Sequence, residues 1–368
     1  MRILMVCTDA EIGGAERFLV SLANARFPED TVGLVVLMQP GSLSSQLEDA
    51  FDEVHYLGFA PSSRNLFGMI RGLERAARKF NPDVVSSHLF HADLITALAR
   101  IAAPKTTTVH TQGLTKSDHP LTRLIARAVG SLSFRFDAVI PAGASEQMAE
   151  FIRRLGMRNV VPPIPNGATI PPQRSFSSSS RIVLSLARNH PVKGHHRLFE
   201  AFARAADFAP DWQLHAVGPD VVPEDERMLT AIREADAEKL LSEGRIKLLG
   251  PTDRPEAALA EAGALVISSV YGEAFPVVGA EAAGFGVPVI TTDLGSCAEF
   301  ADDKRFLVPP DDSSALELAF RTYFEMSDRE RDELSARARE RAESEYDPRI
   351  AYERYRAVFA RAIEKRGR

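Results

Sequence analysis

Short apolar or β-branched runs alternate with amphipathic stretches of helical period from the first residues onward. Ile3 to Cys7, Val32 to Met38, Val84 to Ser87, Thr106 to His110 and Ala138 to Pro141 read as strands with helices between them. Strands that recur with a helix after each build βαβ units, so a doubly wound parallel sheet covered on both faces is expected. The rhythm breaks at Pro162-Pro163-Ile164-Pro165-Asn166-Gly167, then at Pro171-Pro172-Gln173-Arg174 and the run Ser177 to Ser180, a composition poor in core-forming residues. It restarts with Ile182 to Ala187, Leu214 to Val217, Ile246 to Leu249, Leu265 to Ser268 and Val287 to Thr291, which predict a second parallel sheet. From Ser327 the chain is charged and helix-forming, with a break near Tyr346-Asp347-Pro348. Beyond it Ala351, Tyr352, Tyr355, Val358, Phe359 and Ala362 fall on one helical stripe. The expected organisation is a first domain at 1–170, a linker at 171–180, a second domain at 181–345 and a C-terminal helix at 346–368 that packs back on the first domain.

The 368 residues exceed what one core usually holds, in keeping with two domains. A composition 45% hydrophobic and 26% charged is that of a folded globular chain. No run approaches the roughly 20 apolar residues of a spanning helix. Met1 to Val6 leads into Thr8-Asp9 without a cleavage pattern, so a cytoplasmic protein is expected. Cys7 and Cys297 have neither metal-ligand spacing nor a disulfide framework, and buried thiols are expected. Residues 1–170 carry 17 basic and 16 acidic side chains and the remainder 27 and 34, net charges of +1 and −7. An acidic second half argues against nucleic acid as the main partner, because phosphate backbones demand a positive field. Any anionic ligand must be held by local cations.

Ligands of such sheets bind beyond the carboxyl ends of the strands, and two such domains facing one another leave a cleft. In the first loop, Thr8 to Arg17, Gly13-Gly14 stands at a helix start, where N–H groups can meet an anion or a sugar without Cβ interference. Plain turn geometry is the alternative, since this is not the three-glycine dinucleotide pattern. Arg188 and Lys193-Gly194 bound a loop after a strand and can converge on one diphosphate, the Arg as a fork and the Lys as a point charge. A pair of solvated surface cations is the alternative. The richest stretch runs from Ser268 to Gly284. Pro276 suits the first turn of a helix, which leaves the N–H groups of Phe275 to Val278 and the positive dipole end for a phosphate. Glu273 before that helix and Glu281 within it can accept from the vicinal hydroxyls of a sugar or ribose, or else serve the helix dipole and the solvent. His110, in Thr108 to Gly113, ends a strand and is a cleft candidate, although a lone histidine is more often structural; His88 and His91 are weaker ones. No Asp-x-Asp and no metal-cage spacing occurs, so neither metal nor other cofactor is expected. Leu121 to Phe136, with Arg123, Arg127 and Arg135, is amphipathic and basic; a buried helix with solvated arginines is favoured over contact with anionic lipid.

Together these residues resemble the retaining glycosyltransferases of GT-B fold, specifically glycosyltransferase family 4, over nearly the whole chain. The resemblance rests on Gly13-Gly14-Ala15-Glu16, His110, Pro165-Asn166-Gly167, Arg188 with Lys193-Gly194, Gly218 and Leu248-Leu249-Gly250. It continues with Glu273 and Glu281, seven residues between them, then Val287 to Asp293 and Gly295. It implies two Rossmann-like doubly wound domains facing across a cleft. It also implies transfer of a sugar from a UDP- or GDP-sugar to a glycan or lipid-linked acceptor, with retained configuration and without metal, as in bacterial surface polysaccharide or glycolipid synthesis. Weak contact with the inner face of the membrane would suit a lipid-linked acceptor. In that scheme Arg188 and Lys193 neutralise the donor diphosphate, Glu281 holds the ribose, and Glu273 with the Ala274-Phe275 backbone holds the donor sugar. Gly218, Pro276 and Val277 border the donor, Glu299 meets the nucleotide end, His110 contacts the transferred sugar, and Gly13-Gly14 frame phosphate or acceptor. Ala187 and Ala274 stand where the family usually has Gly, and Ser268-Ser269 where it has Pro-Ser, small-for-small changes that bear on fine geometry. Two further classes fit the same architecture: a non-catalytic nucleotide-sugar-binding relative, and a sugar-nucleotide epimerase that needs no acceptor.

Overall fold

The computed structural model describes residues 1–11, 13–110, 120–143 and 145–367. Ile12, Thr111, Gln112 and Gly113 of the stretches quoted above therefore lie outside the described residues. The chain forms two units, Met1–Gly167 with Asp347–Arg368, and Ala168–Tyr346.

The first unit runs β1 (Arg2–Cys7), α1 (Gly14–Asn24), β2 (Thr31–Met38), α2 (Ser44–Ala50), β3 (Glu53–Phe59), α3 (Leu66–Phe80), β4 (Val84–His88), α4 (Phe90–Leu98), β5 (Lys105–Val109), α5 (Pro120–Leu132), β6 (Ala138–Pro141) and α6 (Glu146–Arg154). Its six strands lie parallel in the order β3-β2-β1-β4-β5-β6. The inner strands β1, β4 and β5 are buried along almost their whole length, which is why they read as continuous runs. The edge strand β3, absent from the expected set, is half-exposed throughout; Glu53 and His55 break its apolar run. β5 ends at Val109, so His110 stands one residue beyond the strand instead of closing it.

The C-terminal helix Pro348–Gly367 belongs to this first unit. Its stripe Ala351, Tyr352, Tyr355, Val358, Phe359 and Ala362 is buried, and Tyr352, Tyr355 and Phe359 share a core with Ile3 and Met5 of β1 and Phe18 of α1. Asp30 fastens the helix. It accepts from Tyr352 Oη at 2.9 Å, Arg356 Nε at 2.7 Å and the N-terminal amine at 2.6 Å. Burial alone would push this carboxyl up, but the bonds from Arg356, the amine and Tyr352 hold it below the usual carboxylate range.

The second unit continues β7 (Ile182–Leu186), α7 (His195–Ala206), β8 (Gln213–Val217), α8 (Glu226–Glu234), α9 (Glu238–Ser242), β9 (Ile246–Leu248), α10 (Pro255–Glu261), β10 (Ala264–Ile267), α11 (Val277–Phe285), β11 (Val289–Thr292), β12 (Leu307–Val308), α12 (Ser313–Glu325) and α13 (Asp328–Arg341). Its strands are parallel in the order β12-β11-β10-β7-β8-β9. β12 has two residues, too few to register in a pattern. Residues 171–180, expected as a linker, lie within this unit. Phe176 packs on the core that holds Leu265 and Ala283, and Arg174 donates to Ser335 Oγ of α13 at 3.0 Å. Proline and serine around them gave the segment the composition of free chain. The expected helical tail is divided as well: α13, started by a Ser327/Glu330 capping box, belongs to the second unit, and a π turn at Ala342–Tyr346 precedes the C-terminal helix.

Candidate active site

In the second unit the loops after β7 and β10 are tied to each other. Val270 N–H donates to Val192 O at 2.8 Å, and Ser268 Oγ donates to Lys193 O at 2.8 Å. The contact is close because Gly194 lies between them. Its φ is +65°, and a Cβ there would come within 2.2 Å of Ser268 O. The tie aligns two side chains 80 residues apart, Lys193 Nζ lying 2.5 Å from Glu273 Oε2. That carboxylate oxygen also accepts from Ser269 Oγ at 2.8 Å, while Thr292 Oγ1 donates to Ser269 O at 2.8 Å from β11. The Lys193 and Glu273 side chains keep 25% and 13% of their exposure, so the pair is accessible to a ligand yet shielded from bulk water on most sides. Ser269, marked in the sequence only as standing at the family's Pro-Ser position, gains its role from the fold, which turns its hydroxyl toward a carboxylate four residues on.

Arg188, in the same loop as Lys193, is exposed. Gly218 follows β8, where its N–H donates to Gly250 O at 2.8 Å, and a Cβ at this position would meet Ala187 O at 2.2 Å. Pro276 is the N-cap of α11 and not its first residue, and no side chain caps this end, so the helix dipole is presented by the Val277 and Val278 N–H groups. The Phe275 ring turns inward, edge-on to Phe300 at 5.2 Å and Tyr346 at 5.8 Å, and Ala274 is buried. At these two positions the backbone is the part a ligand can use. Ala274 O accepts from Ser296 N–H at 2.9 Å. Glu281 is half-buried on α11. Glu299 sits in a short 3-10 turn, Gly295–Phe300, pushed up to about 7 by burial, with Glu345 adding and Arg341 opposing. The charges acting on it are those of the 341–345 segment, not Arg188 or Lys193.

In the first unit Gly13 is the N-cap of α1, with Glu16 folded over it. A Cβ at Gly13 would fall 2.3 Å from Glu16 Oε2, whereas one at Gly14 would meet nothing within 4 Å. Burial pushes the Glu16 carboxyl up to about 7, against a hydrogen bond from its own N–H and with Asp9 adding. His110 is half-buried and pairs with His88, Nε2 to Nδ1, at 3.0 Å. Both cysteines are buried, their thiols pushed up chiefly by that burial. Among the described residues no group of three or more His, Cys, Asp or Glu is arranged to hold a metal ion.

Residues 12–170 match the family model described as Glycosyltransferase Family 4, and residues 168–343 the model described as Glycosyl transferases group 1. The two models between them take in every strand but β1, the Lys193–Glu273 loops and His110, and the chain belongs to the GT4-type glycosyltransferases, with the GT-B fold. Anabaena HepE in complex with UDP superimposes with a TM-score of 0.79 at 22% identity, over 98% of this chain and 100% of that one. Sucrose-phosphate synthase from Thermosynechococcus elongatus does so at 0.73 and 19% identity, over 98% and 100%. Among curated proteins, an exopolysaccharide phosphotransferase of Streptomyces coelicolor is 29% identical over 144 residues, 38% of this chain. The match spans 14% of that protein's length.

Proposed function

We propose that this glycosyltransferase takes its sugar from a UDP- or GDP-sugar, retains the anomeric configuration, needs no metal ion, and serves bacterial surface polysaccharide or glycolipid synthesis. The observation that carries the reading is the Lys193–Glu273–Ser269 cluster, a cation and a hydroxyl-binding carboxylate held together beside the uncapped start of α11. Lys193 and Arg188 take up the charge that develops on the departing diphosphate, and the α11 N–H groups add to it, which is the work a metal does elsewhere. Glu273 and Glu281 accept from hydroxyls of the donor, and His110 contacts the transferred sugar. The acceptor oxygen bonds to the anomeric carbon on the face that the diphosphate leaves. HepE, similar in fold, is found with UDP and with UDP-glucose, which makes uridine the first base to try.

Retention is checked without knowing the acceptor. The bound nucleotide sugar is left to hydrolyse slowly in EDTA, and the anomer formed first is read by proton NMR. An α-linked donor is expected to release the α sugar at an unchanged rate; the β sugar, or turnover restored only by a divalent ion, contradicts the reading.

Contact with the inner face of the membrane belongs to the same proposal. Among the described residues no helix is long and apolar enough to cross a membrane. Leu121, Leu124 and Phe134, 49%, 63% and 57% exposed, line the exposed face of α5 and the turn after it, Arg127 and Arg135 are exposed on the same segment, and residues 120–136 hold no acidic side chain. That face suits the surface of an anionic bilayer. Phosphatidylglycerol vesicles are expected to pellet the protein, and Leu124→Glu with Phe134→Glu to release it. Equal pelleting of both proteins, or of neither, contradicts the contact.

A further inference from the structure

His88 and His110 form a pair of imidazoles on one end of the first sheet. His88 is the last residue of β4 and wholly buried; its strand neighbour in β5 is Thr108, which leaves His110 two positions further on. His88 Nδ1 and His110 Nε2 are 3.0 Å apart, with the rings 5.4 Å apart and tilted by 33°. Phe18 of α1 packs on both rings, at 6.2 and 5.4 Å, and is backed in turn by Tyr355 of the C-terminal helix at 5.5 Å. The other nitrogen of His88 faces Ser86 Oγ at 3.5 Å. Burial pushes His110 down to about 4 and His88 well below its ordinary value, the latter with His110 opposing its charge too, so both rings are neutral at physiological pH.

A neutral imidazole carries one N–H and one lone pair. A hydrogen bond between two such rings therefore sets both tautomers together: whichever nitrogen of the pair holds the shared hydrogen fixes what His110 Nδ1 offers, a donor or an acceptor. With Phe18 packed on both rings and the nitrogens 3.0 Å apart, the His110 ring can neither flip nor exchange tautomers without breaking the bond. We propose that His88 is a positioning residue for His110, fixing through this bond the orientation and the single tautomer that His110 presents to the transferred sugar. The inference rests on the reading that His110 contacts that sugar.

The first test needs no substrate. In protein labelled with ¹⁵N in histidine, with His110 assigned by loss of its signals in His110→Gln, the ring is expected to show one nitrogen of pyrrole type and one of pyridine type. In His88→Phe, which keeps an aromatic ring in the space, the two are expected to average toward each other. An averaged His110 in the wild type, or a fixed one in His88→Phe, overturns the proposal. In turnover, His88→Phe is expected to lower kcat by about 10- to 100-fold, the scale of a misplaced reacting group, with little change in KM. His88→Asn, whose amide reaches the place of Nδ1, is expected to recover most of that loss and also guards against misfolding of the Phe variant. Equal loss in the Asn and Phe variants overturns the hydrogen bond as the cause. The underlying reading is judged separately: full activity in His110→Ala removes His110 from the reaction while leaving the tautomer result to stand or fall alone.

Discussion

Lys193→Ala is expected to slow sugar transfer by roughly two to three orders of magnitude, the usual cost of deleting one group that meets developing charge, while the fold survives. An ammonium has three donors. One is on Glu273 at 2.5 Å, which leaves two for phosphate oxygens. Its loss harms two things at different scales. The charge that stabilised the leaving group disappears, and Glu273, with 13% of its side chain exposed, keeps only Ser269 as a side-chain hydrogen-bond partner among those described. Stranding a carboxylate that is mostly buried costs about 1 to 2 kcal/mol once its residual solvation is allowed for. Thermal unfolding is thus expected to fall by a few degrees in the single variant. Adding Glu273→Gln removes the stranded charge and is expected to restore the melting temperature without restoring turnover. Full activity in Lys193→Ala would remove the residue from the site. Melting unchanged in the single variant would show that the ion pair does not hold the loops.

Gly194→Ala is expected to cost about 3 kcal/mol of stability, combining roughly 1 to 2 kcal/mol for a left-handed residue with a clash against main chain. The obstructing atom is Ser268 O, 2.2 Å from the added carbon, and it cannot swing away as a side-chain end would. Relief requires the loops after β7 and β10 to part, which breaks Val270 N–H to Val192 O and strains Ser268 Oγ to Lys193 O. Lys193 and Glu273 ride on those loops, so turnover is expected to drop by at least about tenfold. Gly244→Ala supplies the contrast: φ there is +72°, but nothing lies within 4 Å of the added carbon. It should show the left-handed cost alone, about half as large, with activity intact. Equal losses in the two variants would mean that the Ser268 contact is not what Gly194 provides.

Much of this architecture was legible in the chain. Buried parallel strands read as short apolar or β-branched runs because helices cover both faces, and ten of them fall within a residue or two of such runs. β3 escapes the pattern because an edge strand needs only half an apolar one, and the segment at 171–180 resembles a tether because Phe176 is its only large apolar residue among prolines and serines. The helical stripe from Ala351 to Ala362 was visible because one buried face at helical spacing needs no tertiary knowledge. The candidate site was legible only as parts. Sequence set Lys193 and Glu273 in separate loops, but their contact depends on strand order in the sheet and on the absence of a Cβ at Gly194. The His88–His110 bond depends in the same way on β4 and β5 being neighbours in register. Phe275 shows the converse, since a residue inside a binding-type motif directs its ring into the core and leaves only its backbone outside.

The central claim is that the cluster around Lys193 and Glu273 is a nucleotide-sugar donor site. The most direct measurement is the melting temperature of wild type and Lys193→Ala with UDP, GDP, ADP and CMP and their sugar conjugates, in EDTA. A shift of several degrees with UDP or GDP and the matching conjugate, lost in the variant, is the predicted result. The same shift in both proteins, or no shift in the wild type with any nucleotide, would contradict it.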